Sequence, residues 1–368
     1  MNEMNNEGYD PSYPEQIEPI FKSTSVDDEQ PETIELEEIL PVNRNSFFVS
    51  GEALLEMGIT DIPYLVDPLL PQAGVVSVAG SSDIGKSSFL RQLGCAIATK
   101  RPEFLGYTIN ARYNHVIYVS TEDDKTAMAY LLHKQNVDGL APSEYRNFSF
   151  VFDTDNLVHK LDTELLSNPA DCVIIDTFTD IYGGDMNVTN KVRNFLTDYS
   201  TLANRHSCLF IFLHHTGKKT EYSAPSKNNL LGSQGFEAKM RLVIELRQDK
   251  TIPEHRHMCI VKGNYLPQEY KQDSYKLYFD ENMLFTNTGE RVPFEHLVGC
   301  MREDILQKPE YLLAVSFRRE GFSYRKIVDK LNDLGYHVRK TTISKWVKQV
   351  AILSATDEES DVESETEE

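Results

Sequence analysis

Short apolar runs recur along the middle of the chain, separated by stretches long enough for a helix. The runs hold four to six residues, many of them β-branched, and lack the alternation of a strand with one wet face. This pattern predicts an α/β fold with a mainly parallel sheet covered by helices. The runs are Val75–Ala79, His115–Val119, Cys172–Ile175, Cys208–Leu213 and Leu242–Leu246, followed by two that suit antiparallel edge strands, His257–Val261 and Tyr275–Phe279.

A polar, basic stretch follows the fourth run directly, between Thr216 and Gly232. It contains Lys218, Lys219 and Lys227. Surface loops of this length that follow a buried strand often carry function, because the sheet holds their ends in place. The alternative is an ordinary flexible connection.

The pattern changes after Pro309 to short amphipathic helical segments. Ser323 can cap the second segment and Gly335 can end it, while a third helix is predicted from Thr341 to Val350. A compact all-α unit is therefore expected at this end of the chain. The apolar positions at helical spacing are Tyr311, Leu312 and Val315, then Ile327, Val328 and Leu331, then Ile343, Trp346, Val347 and Val350.

Nearly all of the net charge of −20 belongs to the two ends of the chain. Residues 1–40 carry 12 acids against Lys22, and residues 354–368 carry 8 acids and no base. Such segments cannot bury enough apolar surface to offset the entropy of ordering, so disordered acidic ends are expected. Residues 41–353 have a net charge of only −1. The overall acidity therefore does not exclude a nucleic-acid partner.

Composition also limits the class of protein. The mean hydropathy is −0.41, and no uncharged apolar run approaches the roughly 18 to 20 residues that cross a bilayer. The first residues lack the pattern of a secretory signal. We therefore expect a cytoplasmic protein with no membrane partner. The five cysteines show no CxxC spacing, which favours buried thiols over a metal or disulfide role.

A phosphate-binding motif follows the first buried run and opens a helical stretch. Glycines let the backbone N–H groups curl around a phosphate at the helix N-terminus. Lys86 supplies a positive charge to the β- and γ-phosphates of ATP, and Ser87 offers a hydroxyl to Mg²⁺. The alternative is a plain glycine-rich turn. The motif is Gly80, Ser81, Ser82, Asp83, Ile84, Gly85, Lys86 and Ser87, with Ser88 in the following helical turn.

Two carboxylates that end buried strands can complete an ATPase site. Asp176 follows Cys172–Ile175, and ligands in α/β folds bind at the carboxyl ends of strands, so it is expected to hold Mg²⁺. Glu122 follows another strand and can orient or deprotonate the attacking water. The alternatives are a capping role for Asp176 and a solvated acidic turn around Glu122.

These motifs, in this order, resemble the RecA-like hexameric ATPases, most closely the family containing the plasmid RepA replicative helicase. The resemblance covers about Ile62 to Pro267 and implies a RecA-like P-loop fold, ATP and Mg²⁺ as ligands, and a ring or filament, expected to be a hexamer. It also implies that Glu122 is the catalytic glutamate. In such rings single-stranded DNA passes through the central channel.

The resemblance assigns further roles after the strand that follows Asp176. A histidine ending this strand would sense the γ-phosphate; His214 and His215 point to opposite faces, and His214 is slightly favoured. Arg241 would be an arginine finger acting on a neighbouring subunit, with a surface ion pair as the alternative. The Lys-x-Arg pair of related helicases corresponds to Lys262-Gly263-Asn264, which lacks the arginine, and Lys262 is the alternative to Arg241 as the residue that acts across the subunit interface. Lys218, Lys219 and Lys227 would contact DNA phosphates.

Residues 322–346 resemble a helix-turn-helix. Residues 302–348 hold 11 basic and 6 acidic side chains, a local charge of +5. This favours contact with duplex DNA, while a protein-docking unit is the alternative. The residues expected on the outward face of the third helix are Thr342, Ser344, Lys345 and Lys348.

The expected organisation is a disordered segment at 1–42, an ATPase domain at 43–290, a linker and helix-turn-helix domain at 291–353, and a disordered tail at 354–368. The expected function is that of a DNA-dependent ATPase, a RepA-like helicase or AAA family ATPase that acts in replication or mobilisation of a plasmid, phage or integrated element. The alternative is a DNA-binding regulator that uses ATP as an assembly switch.

Overall fold

The computed structural model describes residues 48–217, 220, 223–232, 234–298, 308–344 and 346–347. The chain divides into two units, Met1–Ile59 and Thr60–Glu368. Among the described residues of the first unit, one helix forms, α1 (Gly51–Glu56), and the Ser50 hydroxyl caps it by accepting the Ala53 N–H. The expected disordered ends, residues 1–42 and 354–368, lie outside the described residues.

The second unit contains the remaining described elements. Its helices are α2 (Lys86–Ala98), α3 (Lys125–Gln135), α4 (Leu157–Ser167), α5 (Phe178–Tyr182), α6 (Thr189–His206), α7 (Gln234–Lys239), α8 (Pro309–Arg319) and α9 (Tyr324–Asp333). Its strands are β1 (Tyr64–Asp67), β2 (Leu70–Pro71), β3 (Gly74–Gly80), β4 (Glu103–Phe104), β5 (Tyr107–Ile109), β6 (Val116–Ser120), β7 (Phe148–Val151), β8 (Cys172–Asp176), β9 (Leu209–His215), β10 (Leu242–Gln248), β11 (His255–Gly263), β12 (Asp273–Phe279) and β13 (Phe285–Pro293). Short 3-10 turns occupy Pro142–Tyr145, Lys227–Asn229, Gln268–Lys271 and Phe294–Leu297.

A nine-stranded sheet organises this unit, in the order β13-β12-β11-β10-β3-β9-β8-β6-β7. The six strands from β10 to β7 are parallel, and β11, β12 and β13 continue the sheet as antiparallel strands. The predicted α/β fold with a mainly parallel sheet and antiparallel edge strands is confirmed. Sequence patterns missed β7 and β13, and they missed a small second sheet of β2, β1, β5 and β4.

Two apolar layers cover the central sheet, one on each face. Successive residues of β8 alternate between them: Cys172 and Ile174 join one cluster, Val173 and Ile175 the other. Residues of α2 pack in the first cluster, and residues of α4 and α6 pack in the second. Burial on both faces explains why the strands read as unbroken apolar runs rather than as alternating ones.

The C-terminal helices have a small core of their own. Ser323 caps α9 by accepting the Lys326 N–H at 3.4 Å, and Gly335 ends this segment with a φ of 86°. Both features agree with the prediction. Leu312, which the helical spacing placed in the core, is exposed, and Ala314 is buried instead. The buried residues of this core are Tyr311, Ala314, Ile327, Leu331, Ile343 and Trp346, the last two in helical residues 340–344 and 346–347; Val350 lies outside the described residues.

Every helix within the described residues is too short or too polar to span a bilayer. Cys95, Cys172, Cys208 and Cys259 are free thiols, and burial raises the pKa of each of them. Cys300 lies outside the described residues.

Gly94 tests how tightly α2 packs on the sheet. A Cβ atom at this position would lie 2.5 Å from Cζ of Phe148, whose ring packs 4.5 Å from that of Phe150. Alanine in a helix interior normally stabilises by about 1 kcal/mol over glycine. We expect Gly94→Ala to lower the free energy of unfolding instead, by about 1 to 3 kcal/mol, because of this clash.

Urea denaturation followed by circular dichroism measures the change. Adding Phe148→Leu to the Gly94→Ala variant removes the ring atoms at the contact and should recover part of the loss. An increase in stability for Gly94→Ala alone would show that the Phe148 ring can move aside at little cost.

Candidate nucleotide-binding site

The phosphate motif forms a tight turn between β3 and α2. Its conformation depends on Gly85, which has a φ of 94°, in the left-handed region that favours glycine. A Cβ atom there would lie 2.9 Å from Phe285 and 3.2 Å from Phe279, whose rings pack beneath the turn. Gly80 is constrained as well, since its Cβ would lie 2.6 Å from the Leu246 carbonyl oxygen. The predicted strand–turn–helix context of the motif is thus present.

Lys86 begins α2 and is buried, with its ammonium donating to the Ser81 carbonyl at 2.6 Å. Burial lowers the pKa of Lys86, and the nearby carboxylates of Asp176, Glu122 and Asp83 oppose that shift. A lysine folded back on the turn, facing several acids, is a cation available to phosphate oxygens.

Asp176 ends β8, and its carboxylate is buried at this edge of the sheet. The Tyr118 hydroxyl donates to Asp176 Oδ2 at 2.5 Å. Burial raises the pKa of Asp176, while Tyr118 and the Ser87 hydroxyl lower it. The second oxygen, Oδ1, is buried without a partner in hydrogen-bond geometry among the described residues. A buried, unsatisfied carboxylate oxygen is unusual, and a bound ion is one arrangement that would satisfy it.

The ends of β6 and β8 are tied together around Thr121. The Thr121 hydroxyl donates to the Asp176 carbonyl at 2.9 Å and lies 2.6 Å from Asp180 Oδ2. It also accepts the Thr177 N–H at 2.9 Å. These bonds connect the chain segments that follow β6 and β8. Glu122, the residue after Thr121, therefore lies next to this connection.

Glu122 is exposed at the end of β6, near the other charged groups. Partial burial raises the pKa of its carboxyl, and so do Asp176 and Asp180, while Lys86 lowers it. Lys86, Asp176 and Glu122 therefore lie close enough to affect one another's charge. The assignment of Glu122 as the base remains a prediction.

The two histidines at the end of β9 occupy different environments. His214 is fully buried, stacks 4.3 Å from the Phe236 ring and contacts the Leu231 carbonyl through Nε2 at 2.8 Å. Burial lowers the pKa of His214 to about 4. His215 is half-buried, and its pKa is lowered by burial and by Lys86 and raised by Asp180.

The choice between the two histidines stays a prediction, although complete burial is unfavourable for the role expected of His214 as a contact to the γ-phosphate. Its ring lies in the aromatic core, where a solvent-borne ligand cannot reach it. His215 points to the opposite face and lies in the field of both Lys86 and Asp180. The choice between the two rings depends on strand register, which pairs His215 with Gly80.

Arg241 lies at the opposite end of β3 from the phosphate turn. Its N–H donates to the Val75 carbonyl, and its guanidinium donates to the Ala73 carbonyl at 3.2 Å and lies 6.0 Å from the Tyr265 ring. The seven residues of β3 span roughly 20 Å, so Arg241 cannot reach the phosphate site of its own chain. Among the described residues it forms no ion pair.

Lys262 and Lys227 share the carboxylate of Glu237. The Lys262 ammonium is 3.0 Å from Glu237 Oε1, and that of Lys227 is 3.4 Å from the same atom. Lys262 also donates to the Glu237 carbonyl at 2.8 Å. Lys262 is thus held within its own chain, and Lys227 remains half-exposed beside a carboxylate.

The other expected nucleic-acid contacts are only partly described. Thr342 and Ser344 are half-buried, so neither lies fully on an outward face as predicted. The remaining four, Lys218, Lys219, Lys345 and Lys348, lie outside the described residues.

Sequence patterns predicted β12 but neither the role of Tyr118 nor the packing of the β12–β13 hairpin beneath the phosphate turn. Gln92 of α2 exchanges two hydrogen bonds with the Phe285 backbone, and Gln135 donates to the Met283 carbonyl at 2.7 Å. Tyr118 left a usable signal, because a hydroxyl in an otherwise aliphatic buried strand needs a partner. The hairpin left none, since its contact with α2 joins residues nearly 200 positions apart.

Comparison with known proteins agrees with this geometry. Residues 46–221 match the model of a protein family described as an AAA domain, and this range includes the phosphate motif, Glu122, Asp176 and both histidines. No curated protein matches the chain. The match supports an AAA family ATPase that binds nucleotide in a P-loop fold.

The residues around Asp176 fit a magnesium ion that binds with the nucleotide. The unpartnered Oδ1 lies in a buried position, and the Ser87 hydroxyl is close enough to lower the pKa of the same carboxyl. Carboxylate and hydroxyl oxygens are ligands that Mg²⁺ prefers. Ser87 and Asp176 would hold the ion, which when bound with ATP neutralises charge on the phosphate oxygens.

Tyr118→Phe should weaken magnesium-dependent nucleotide binding without affecting the direct lysine contact. The substitution removes the hydrogen bond that orients Asp176 and leaves the ring in place. Loss of such an outer hydrogen bond typically costs about 10-fold or more in metal affinity. We expect at least that rise in the Mg²⁺ concentration that half-saturates binding of a fluorescent ATP analogue.

Tyr199→Phe is the matched control, because Tyr199 is equally buried but lies in the cluster on the other face of the sheet. It should leave the Mg²⁺ dependence unchanged. An unchanged Mg²⁺ titration for Tyr118→Phe would mean that Asp176 keeps its orientation without the hydroxyl.

Proposed function

We propose that this protein is a DNA-dependent, RecA-like ATPase of the RepA helicase type, acting in replication or mobilisation of a plasmid, phage or integrated element. The observation that carries the proposal is the path from the phosphate turn to a lysine-bearing loop. Thr216 follows His215 directly, and its N–H donates to the Gly80 carbonyl at 3.2 Å. The loop that begins there contains Lys218, Lys219 and Lys227. A change at the phosphates can therefore reach a cationic loop through one residue.

Hydrolysis uses the acids and the lysine around the turn. Water attacks the γ-phosphorus of ATP, the bond to the bridging oxygen breaks, and Glu122 accepts the proton. The raised pKa of Glu122 favours this role, because it brings the carboxylate's basicity closer to neutral pH. Lys86 stabilises charge on the phosphate oxygens, and a histidine at the end of β9 responds to the γ-phosphate; the influence of Lys86 and Asp180 on the pKa of the half-buried His215 favours that ring.

Arg241 acts on a neighbouring copy in this proposal. It is too far from its own phosphate turn to contribute there, and an arginine near the transferred phosphate is a common accelerator of such reactions. A ring, expected to be a hexamer, would bring each Arg241 to the site of the next subunit. Such a ring would also bring the lysine-bearing loops together around single-stranded DNA.

The C-terminal helices are proposed to contact duplex DNA. Several basic side chains of this unit are exposed, among them Arg325, Lys326, Arg339 and Lys340. Lys330 is not available in the same way, because its ammonium lies over the rings of Phe317 and Phe322. The surface that contacts duplex DNA is therefore expected at α9 and at Arg339 and Lys340, rather than at Thr342 and Ser344.

Glu122→Gln should abolish most ATP hydrolysis while leaving ATP binding intact. Removal of a general base lowers the rate by about 10²- to 10⁴-fold. Steady-state hydrolysis, measured with and without single-stranded DNA beside a nucleotide-binding assay, tests this. Lys86→Ala is expected to lose binding or turnover, and Asp123→Asn, which changes the adjacent acid, should keep most of the activity.

The same assay separates the proposed function from its alternative. DNA-stimulated hydrolysis with strand displacement supports the helicase. Slow hydrolysis that DNA does not affect would instead favour a DNA-binding regulator that uses ATP as an assembly switch. Near-normal turnover by Glu122→Gln would overturn the assignment of the base.

When assayed by itself, the Arg241→Ala variant should not hydrolyse ATP. A mixture of Arg241→Ala with Lys86→Ala should recover part of the ATP hydrolysis. In a mixed assembly, an intact phosphate site of one variant can face the intact arginine of the other. Steady-state ATP hydrolysis of each variant and of the mixture checks this. If the mixture stays inactive while both proteins assemble, Arg241 does not act on a neighbour.

A further inference from the structure

The loop between β9 and α7 is closed at its base by a short ladder of backbone bonds. Thr216 pairs with Leu230 as an isolated antiparallel bridge. The Gly217 N–H donates to the Asn229 carbonyl at 3.0 Å, and the Leu231 N–H donates to the His215 carbonyl at 2.9 Å. Both ends of the loop are therefore joined to the strand that ends at His215.

A buried ion pair on β10 holds the same loop from a second strand. Glu245 and Arg247 lie two residues apart and so face the same side of the sheet. Their side chains are 4 % and 8 % exposed, and Arg247 Nε is 3.6 Å from Glu245 Oε1. Burial raises the pKa of Glu245, while Arg247 and the bonds from the loop lower it.

Almost every remaining bond of this pair goes to the loop. Glu245 Oε2 accepts the Ser226 N–H at 3.0 Å, and both carboxylate oxygens accept from the Asn229 side-chain amide at 3.1 to 3.2 Å. Arg247 donates to the carbonyls of Ser223 and Thr220 at 2.6 and 2.7 Å. The pair binds mainly backbone groups, so it fixes the path of the described part of the loop.

The pair is also next to the phosphate turn. β10 pairs with β3 in parallel register, which places Glu245 beside Ala79 and Leu246 beside Gly80. The Gly80 carbonyl in turn accepts the Thr216 N–H at the start of the loop. A shift of the phosphate turn can therefore reach the loop by two routes, through the Gly80–Thr216 hydrogen bond at the base of the loop and through β10.

A purely structural role does not explain the pair well. Two buried charges carry a large desolvation cost, and well-packed apolar residues of similar size often stabilise a core as much or more. What apolar residues cannot supply is the three bonds to the backbone of a surface loop and the contact with the Asn229 side-chain amide. The cost of burying the charges is understandable if the position of that loop matters to function.

We infer that Glu245 and Arg247 are positioning residues that couple the loop to the phosphate site, so that the bound nucleotide sets the affinity of the loop for single-stranded DNA. The identity of this ligand rests on the proposed function, whereas the coupling itself does not. Coupling between two sites of ordinary strength changes affinity by about 5- to 150-fold.

The test compares full-length wild type with Glu245→Gln at saturating ADP or ATPγS with Mg²⁺. Two quantities are measured: amide hydrogen exchange of peptides covering the loop, and the affinity for a labelled oligo-dT. In wild type both should depend on the nucleotide, with an affinity ratio of about 5-fold or more. In Glu245→Gln, loop hydrogen exchange and oligo-dT affinity should both become nearly independent of the bound nucleotide. The variant loses the charge that pairs with Arg247 and one acceptor for Asn229.

Asp171→Asn provides the matched control. Asp171 is equally buried and its carboxylate accepts the backbone N–H groups of Arg112, Tyr113 and His115, but it precedes β8, at the opposite end of the parallel strands. It should keep the nucleotide dependence. Arg247→Lys, which retains the charge but not the two-pronged contact, repeats the test if Glu245→Gln folds poorly, and it should also lose the dependence.

The outcomes separate the coupling from the proposed function. Full nucleotide dependence of loop exchange in Glu245→Gln or Arg247→Lys overturns the inference, and so does an equal loss in Asp171→Asn. If wild type binds no oligo-dT but its loop exchange follows the nucleotide and depends on Glu245, the coupling stands and the DNA function fails.

Discussion

The parallel pairing of β3 with β9 on one side and β10 on the other is the constraint on which the rest of the site depends. It places Gly80, His215 and Leu246 in one row at the carboxyl edge of the sheet. Because β8 and β6 continue the same register, Asp176 and Ser120 reach this edge as well. A single pattern of backbone hydrogen bonds thus collects residues that are far apart in the chain.

Buried polar groups are concentrated at this edge, and some of their atoms, among them Asp176 Oδ1 and Arg91 Nη1, have no hydrogen-bond partner among the described residues. Tyr118 holds one oxygen of Asp176, and the other oxygen is buried without a hydrogen-bond partner among the described residues. Arg91 lies behind the turn, bonded to Gln135 and Ser88, and its charge lowers the pKa of Asp176. In a low-dielectric interior such unbalanced groups are costly, so their concentration here points to a ligand-binding role.

The hairpin of β12 and β13 links the antiparallel edge of the sheet to the nucleotide site. Phe279 and Phe285 fill the space beneath Gly85, and Arg256 stacks over Phe279 while donating to the Ile84 carbonyl. The phosphate turn is therefore supported from below by strands that lie outside the parallel sheet. Changes in the length or aromatic content of this hairpin would alter the turn without touching any phosphate ligand.

The sequence alone determined the α/β class, the order of the buried strands, the phosphate motif with its helix, and the two carboxylates at strand ends. These features are local, since burial on both faces leaves unbroken apolar runs and a phosphate turn requires glycines at set spacing. Only the tertiary structure decided that His214 is fully buried while His215 is half-buried, that Tyr118 holds Asp176, and that Glu245 and Arg247 hold the loop. Those contacts depend on strand register and on which face each side chain takes, and a shift of one residue would reverse them.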